Sequence, residues 1–178
     1  MFTALIVVLW RDYRLTASLP GCPDMASVPL TVIAPERSWT VPDDFVAEEV
    51  DVPLGDDARL VGYRIKPEEV APGGQVEVRL AWESRAEMMV SYHVFVHILD
   101  DAGQIITQND GEPAGWTRPT TGWAVGEIVL DERDLILPEG TPPGRYPVRV
   151  GMYEADGPRL LTPAGEDGIT LGEIVVSE

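Results

Sequence analysis

Gln75-Val76-Glu77-Val78-Arg79-Leu80-Ala81-Trp82-Glu83 carries the clearest two-residue rhythm in the chain. Val76, Val78, Leu80 and Trp82 fall on one side of an extended backbone, and Glu77, Arg79, Ala81 and Glu83 on the other. Successive strand side chains point to opposite faces, so this run predicts a strand with one buried and one wet face. Residues 145–153 repeat the pattern. Tyr146, Val148, Val150 and Met152 alternate with a face bearing Arg145, Arg149 and Tyr153. Trp82 is thereby expected in the core. Tyr146, in Pro143-Gly144-Arg145-Tyr146, is expected to fix the start of its strand, as the tyrosine corner does in other sandwiches.

Similar short runs lie on either side, separated by turn signals. They cover residues 45–52, 58–65, 92–99, 104–108, 128–137, 159–162 and 169–176, with turns at Gly55-Asp56-Asp57, Pro72-Gly73-Gly74, Asp101-Ala102-Gly103 and Asp156-Gly157. Residues 92–99 are apolar on both faces, as a central strand would be. No window holds a helical period of useful length. The fold class expected is all-β: an antiparallel two-sheet β-sandwich, immunoglobulin-like, of eight or nine strands within residues 45–178.

Residues 11–44 read as a linker punctuated by Pro20, Pro23, Pro29, Pro35 and Pro42, with one short strand available at 27–33. Residues 1–10 are apolar apart from Thr3. About 20 apolar residues are needed to span a bilayer, so this run is too short by itself. No basic stretch precedes it, as one precedes the core of a signal peptide. It reads as the end of a membrane helix, an incomplete signal segment or a buried strand; the first would make it a membrane tether. Arg11 and Arg14 follow it, a flank that marks the cytoplasmic side of membrane helices. Leu19-Pro20-Gly21-Cys22 has some likeness to a lipoprotein cleavage box, but residues 11–18 separate it from the apolar run.

The formal net charge is −17, and Lys66 is the only lysine. Residues 1–44 hold three Arg against five acids, so −15 lies on the expected domain. A nucleic-acid partner is not expected, since phosphate binding needs a basic face. Cys22 is the only cysteine, which excludes an internal disulfide and a cysteine-based zinc site.

Motifs for catalysis are missing. There is no Gly-x-Ser-x-Gly elbow, phosphate loop, dinucleotide fingerprint or His-Glu-x-x-His helix. His93 and His97 share a face with Phe95, but on a strand their Cα atoms lie ~13 Å apart, too far for one metal. Asp100-Asp101 and Asn109-Asp110-Gly111-Glu112 sit at opposite ends of one strand, roughly 26 Å apart, and cannot form one calcium site. Neither catalytic residues, nor a metal, nor a cofactor is expected. Residues 109–127 form a long loop carrying Trp116, Arg118, Thr120, Thr121 and Trp123. Loops on sandwiches carry binding more often than strands do, and an indole offers a flat apolar face to a sugar ring. The candidate ligand-binding residues are therefore Trp116, Arg118, Trp123, Asp110 and His97. The alternative reading is that one or both tryptophans plug the end of the sandwich, Trp123 before Trp116.

Several of these stretches together resemble a known domain. They are Asp57-Ala58-Arg59-Leu60-Val61-Gly62-Tyr63, Pro72-Gly73-Gly74 leading to Leu80-Ala81-Trp82, and Val94-Phe95-Val96-His97-Ile98-Leu99-Asp100. Pro119-Thr120-Thr121-Gly122-Trp123 with Gly126-Glu127, and Gly144-Arg145-Tyr146 through Val150-Gly151-Met152-Tyr153, complete the set. Over residues 56–176 the chain resembles the C-terminal β-sandwich domain of bacterial, Chloroflexi-type membrane glycosyltransferase-like proteins. In those proteins a polytopic membrane portion performs the transfer, and this chain has no such portion, so no transferase activity is carried over. The resemblance implies an extracytoplasmic accessory domain near a membrane.

The expected function is that of a non-catalytic accessory domain binding carbohydrate or a cell-envelope component. The alternatives are a purely structural or protein-interaction module, and a small glycoside hydrolase, which would need two carboxylates facing one another.

Overall fold

The computed structural model describes residues 36–177 in full, together with the backbone of two strands, β1 (Asp12–Ala17) and β2 (Ala26–Thr31). The chain divides into two compact units, Met1–Glu36 and Arg37–Glu178. In the first, β1 and β2 pair antiparallel, Asp12 opposite Thr31 and Ala17 opposite Ala26. Two paired strands therefore lie in the segment read from its prolines as linker. The apolar run at 1–10 and Cys22 lie outside the described residues. Among the described residues no helix is long and apolar enough to cross a membrane.

The second unit is a two-sheet β-sandwich. Its strands are β3 (Glu48–Leu54), β4 (Ala58–Lys66), β5 (Glu69–Val70), β6 (Gln75–Ser84), β7 (Tyr92–Leu99), β8 (Ile105–Gly111), β9 (Ile128–Ile136), β10 (Gly144–Glu154) and β11 (Ile169–Val176). One sheet has the order β3-β4-β6-β9 and the other β5-β11-β10-β7-β8. All neighbours are antiparallel except β5 and β11, which run parallel over Glu69–Val175 and Val70–Val176.

The alternation read from the sequence is what fills the space between the sheets. Val76, Val78, Leu80 and Trp82 of β6 face Val94, Val96 and Ile98 of β7 and Val148, Val150 and Met152 of β10 across one continuous core. Tyr146 is buried, and its hydroxyl donates to the Pro142 carbonyl at 2.7 Å, closing the corner that starts β10. The chain enters this unit before Phe45. Ser38 bridges Ile128, and Arg37 pairs with Glu127. Phe45 is not in a strand. It is buried under the Arg79 guanidinium, 5.5 Å from its ring centroid. Residues 159–162 do not form a strand either; Arg159 makes a single bridge to Tyr153.

The two outer faces differ in chemistry. On the four-stranded sheet, ion pairs run along the wet side: Arg59 pairs across strands with Glu83 and Asp51, and Arg79 pairs across strands with Glu132 and along its own strand with Glu77. On the five-stranded sheet the central strands present rings instead, and the candidate site lies there.

Candidate functional site

β7 is not apolar on both sides. Its even positions, Val94, Val96 and Ile98, enter the core, so His93, Phe95 and His97 must project from the outer face. Cross-strand pairing places β10 residues beside them: Tyr153 opposite His93, Gly151 opposite Phe95 and Arg149 opposite His97. On the other flank β8 sets Asp110 opposite Phe95 and Gln108 opposite His97. The segment expected to open a loop at Asn109 is thus strand as far as Gly111, and this extension brings Asp110 onto the face.

The rings touch in sequence. The Trp116 indole meets His93 edge-on, centroids 5.2 Å apart at 71°. His93 meets Tyr153 at 5.4 Å and 84°, and Tyr153 lies 6.4 Å from Phe95. Phe95 and His97 are tilted against each other at 4.7 Å. Phe95 is nearly inaccessible because the Arg159 guanidinium lies 4.3 Å from its ring centroid; such a contact is worth about 0.5–2 kcal/mol. Glycines provide the room. A Cβ on Gly151 would stand 2.5 Å from the Phe95 ring, and one on Gly168 would stand 3.0 Å from it.

Polar groups edge this strip. His97 Nε2 lies 3.1 and 3.2 Å from the two Asp110 oxygens. Asp167 accepts from both Arg149 and Arg159. Burial pushes the Asp167 carboxyl up, but the two guanidiniums outweigh it and hold the group below the usual carboxylate range. Burial, with the nearby Asp110 charge, raises the Tyr153 hydroxyl, which therefore stays a neutral O–H donor at neutral pH. Two guanidiniums thus stand against two carboxylates beside the rings.

Trp116 is 61% exposed. It ends a tight turn, Pro113–Trp116, in which Ala114, Gly115 and Trp116 all take left-handed backbone angles (φ 52°, 60° and 69°). For Ala114 and Trp116 this costs about 1–2 kcal/mol each. The indole returns across Gly111, where a Cβ would stand 2.8 Å from the ring. Below the turn, Asp131 and Arg133 project inward from β9 and are buried. Asp131 Oδ1 accepts the Ala114 N–H at 2.8 Å, and Arg133 donates to the Gly111 and Glu112 carbonyls at 3.1 and 2.9 Å.

The residues singled out from the sequence are therefore split. Trp116, Asp110 and His97 lie on or under the outer face of the five-stranded sheet. Trp123 is only 4% exposed and belongs to the core cluster, with its indole N–H donating to the Arg118 carbonyl at 2.9 Å. Arg118 is engaged with Glu127, a buried acid that also takes Arg37 and the Ala124 N–H. These two residues build the loop's foundation and offer a ligand little surface. Asp100, at the far end of β7, accepts the Ala102 and Gln104 N–H groups within its own turn. Among the described residues no group of three or more His, Cys, Asp or Glu is arranged to hold a metal ion.

His93, Tyr153, Phe95 and Arg159 were not among the candidate ligand-binding residues, although His93 and Phe95 were expected to share a face with His97; they complete the strip. The available signal was parity. Aromatic side chains occupy wet-face positions on two strands, and Gly151 falls where one such ring needs space.

No protein family matches this sequence, and no curated protein matches it. Among solved structures, the chain is similar to the C-terminal domain of wzt, with 13% identity, TM-score 0.48, and coverage of 74% of this chain and 79% of that one. It is also similar to part of the Pseudomonas fluorescens alkylpurine DNA glycosylase AlkC bound to DNA containing an abasic site analog. There the identity is 16% and the TM-score 0.42, over 68% of this chain and 30% of that one. Likenesses at this level concern architecture and transfer no function.

Proposed function

We propose that the Arg37–Glu178 unit is a non-catalytic module that binds neutral carbohydrate, a cell-envelope glycan in particular, on the outer face of its five-stranded sheet. The observation that carries this reading is the exposed Trp116 indole, held in a left-handed turn at the head of the His93–Tyr153 ring contacts. Flat ring faces suit the apolar side of a sugar. Asp110, Arg159 and the Tyr153 hydroxyl supply hydrogen-bonding groups for its edges. The balance of guanidiniums and carboxylates beside the rings favours an uncharged ligand over an acidic one.

Two facts support binding over hydrolysis. Asp167 is held ionised between two arginines, the opposite of the raised carboxyl that a general acid needs. Asp110 is taken up by His97. In this reading the module works outside the cytoplasm and is tethered through residues 1–10, as the resemblance to membrane glycosyltransferase-like proteins implies.

The test is intrinsic tryptophan fluorescence of the full chain, titrated with neutral oligosaccharides of hexose, N-acetylhexosamine and deoxyhexose. One or more should shift the emission. Trp116→Ala should weaken that binding at least tenfold, about 1.4 kcal/mol, while Trp39→Phe leaves it unchanged. A panel with no response, or equal affinity in Trp116→Ala, would remove this reading and favour an interaction module for protein partners.

A further inference from the structure

We infer that the buried Asp131–Arg133 pair is a positioning device for Trp116. The functional arm of this inference rests on the binding reading above; the structural arm does not.

Asp131 and Arg133 occupy inward positions of β9, the parity that Val129 and Leu135 use to fill the core. Their side chains are almost fully shielded from water, and the Arg133 Nε lies 3.0 Å from both Asp131 oxygens. A buried ion pair is a poor source of stability, since desolvation cancels most of the attraction, and apolar residues of similar volume commonly replace one without loss. The bonds this pair makes point to another use. Arg133 reaches Asn109 Oδ1 at 3.4 Å and the Gly111 and Glu112 carbonyls, while Asp131 holds the Ala114 N–H. Every one of these contacts falls on the strap that runs from the end of β8 into the turn bearing Trp116.

That strap needs holding. Ala114 and Trp116 are non-glycine residues at positive φ, a conformation that persists only where the surroundings over-determine it. The turn's own backbone bonds are long, Trp116 N–H to Glu112 at 3.3 Å and Thr117 N–H to Ala114 at 3.3 Å, beside one short side-chain bond from the Thr117 hydroxyl to the Ala114 carbonyl at 2.6 Å. The pair underneath supplies the shorter, charge-assisted contacts. With the strap fixed from below and the indole laid over Gly111, the ring is left one orientation against His93.

The experiment uses the full chain with Trp10→Phe and Trp39→Phe, so that Trp116 is the exposed emitter beside buried Trp82 and Trp123. In this background, Asp131→Leu/Arg133→Met should unfold cooperatively. Acrylamide quenching of its exposed component should rise at least twofold, and its anisotropy should fall. Affinity for whichever neutral oligosaccharide the parent binds should drop tenfold or more. Asp131→Asn keeps an oxygen for Ala114 but removes the ionic partner of Arg133, and should give a smaller change of the same sign. It also decides the matter if the double variant does not fold. Unchanged quenching and anisotropy in a folded variant would overturn the inference. If the parent binds no oligosaccharide, the binding reading fails while the quenching comparison still judges the positioning role. If Trp116→Ala abolishes binding but the folded double variant binds as tightly as the parent, the positioning role fails and the binding reading stands.

Discussion

Phe95 rests on the backbone of Gly151, and no other residue type fits there. A methyl group at that position would stand 2.5 and 2.6 Å from two ring carbons, and the ring is shut in by Arg159 and Gly168. Gly151→Ala should therefore destabilise the domain by about 1–3 kcal/mol, the usual cost of overpacking a filled site, seen as a lower urea midpoint with an unchanged slope. Single residues were legible in the sequence where one rule governed them. Trp82 follows from alternation alone, and Tyr146 from its place behind a Pro-Gly turn. Asp131 and Arg133 were missed because alternation says a side chain points inward but not what it meets. Their partners are backbone groups of the turn at 111–114, which no local pattern discloses.

At the scale of elements, the sequence marked the strands well and their ends less well. β7 and β11 run as expected, whereas β8 continues through Asn109 and Asp110 to Gly111. Asn and Asp next to Gly signal a turn by their local preferences. Here the ladder to β7 prevails, assisted by Asn109 donating to the Asp134 carbonyl of the opposite sheet. The two-residue β5 was invisible, because a parallel pairing that short leaves no rhythm. The loop after β8 folds around one acid, Glu127, which gathers Arg118, Arg37 and the Ala124 N–H. Burial pushes this carboxyl up, but the Ala124 N–H and the two guanidiniums outweigh it and leave it below its ordinary value. The folded state thus holds Glu127 ionised more firmly than the unfolded chain does. The stability this provides is present above the ordinary carboxylate range and is lost as the pH falls through the lowered value. Glu127→Gln should lower stability at neutral pH and flatten its decline on acidification below about pH 4.5. Urea unfolding at a series of pH values measures both. Asp167 is lowered in the same sense and should keep part of the acid slope in that variant.

For the molecule as a whole, the two outer faces of the sandwich differ in chemistry. The four-stranded sheet carries ion-pair ladders, the ordinary dress of a solvated surface. The five-stranded sheet carries rings on its central strands, glycines beneath them, and a strained turn delivering one exposed indole. Such an arrangement has a cost in backbone strain and in a buried ion pair, and a surface meant only for water requires neither. The fold class was legible in the sequence because one two-residue period governs both sheets. The strip was only half legible. Trp116, His97 and Asp110 stood out by residue type, but their union with His93, Tyr153 and Arg159 depends on the register of β8, β7 and β10. Trp123, chosen for the same chemistry as Trp116, went to the core instead.

The most direct test of the central claim is an NMR titration of the isotopically labelled full chain with neutral oligosaccharides, following backbone amides and aromatic side chains together. Saturable shifts should be confined to Trp116, His93, Tyr153, Asp110, Arg159 and their strand neighbours, with the Trp123 indole N–H unmoved. Shifts mapping to the four-stranded sheet, or none with any sugar tested, would contradict it.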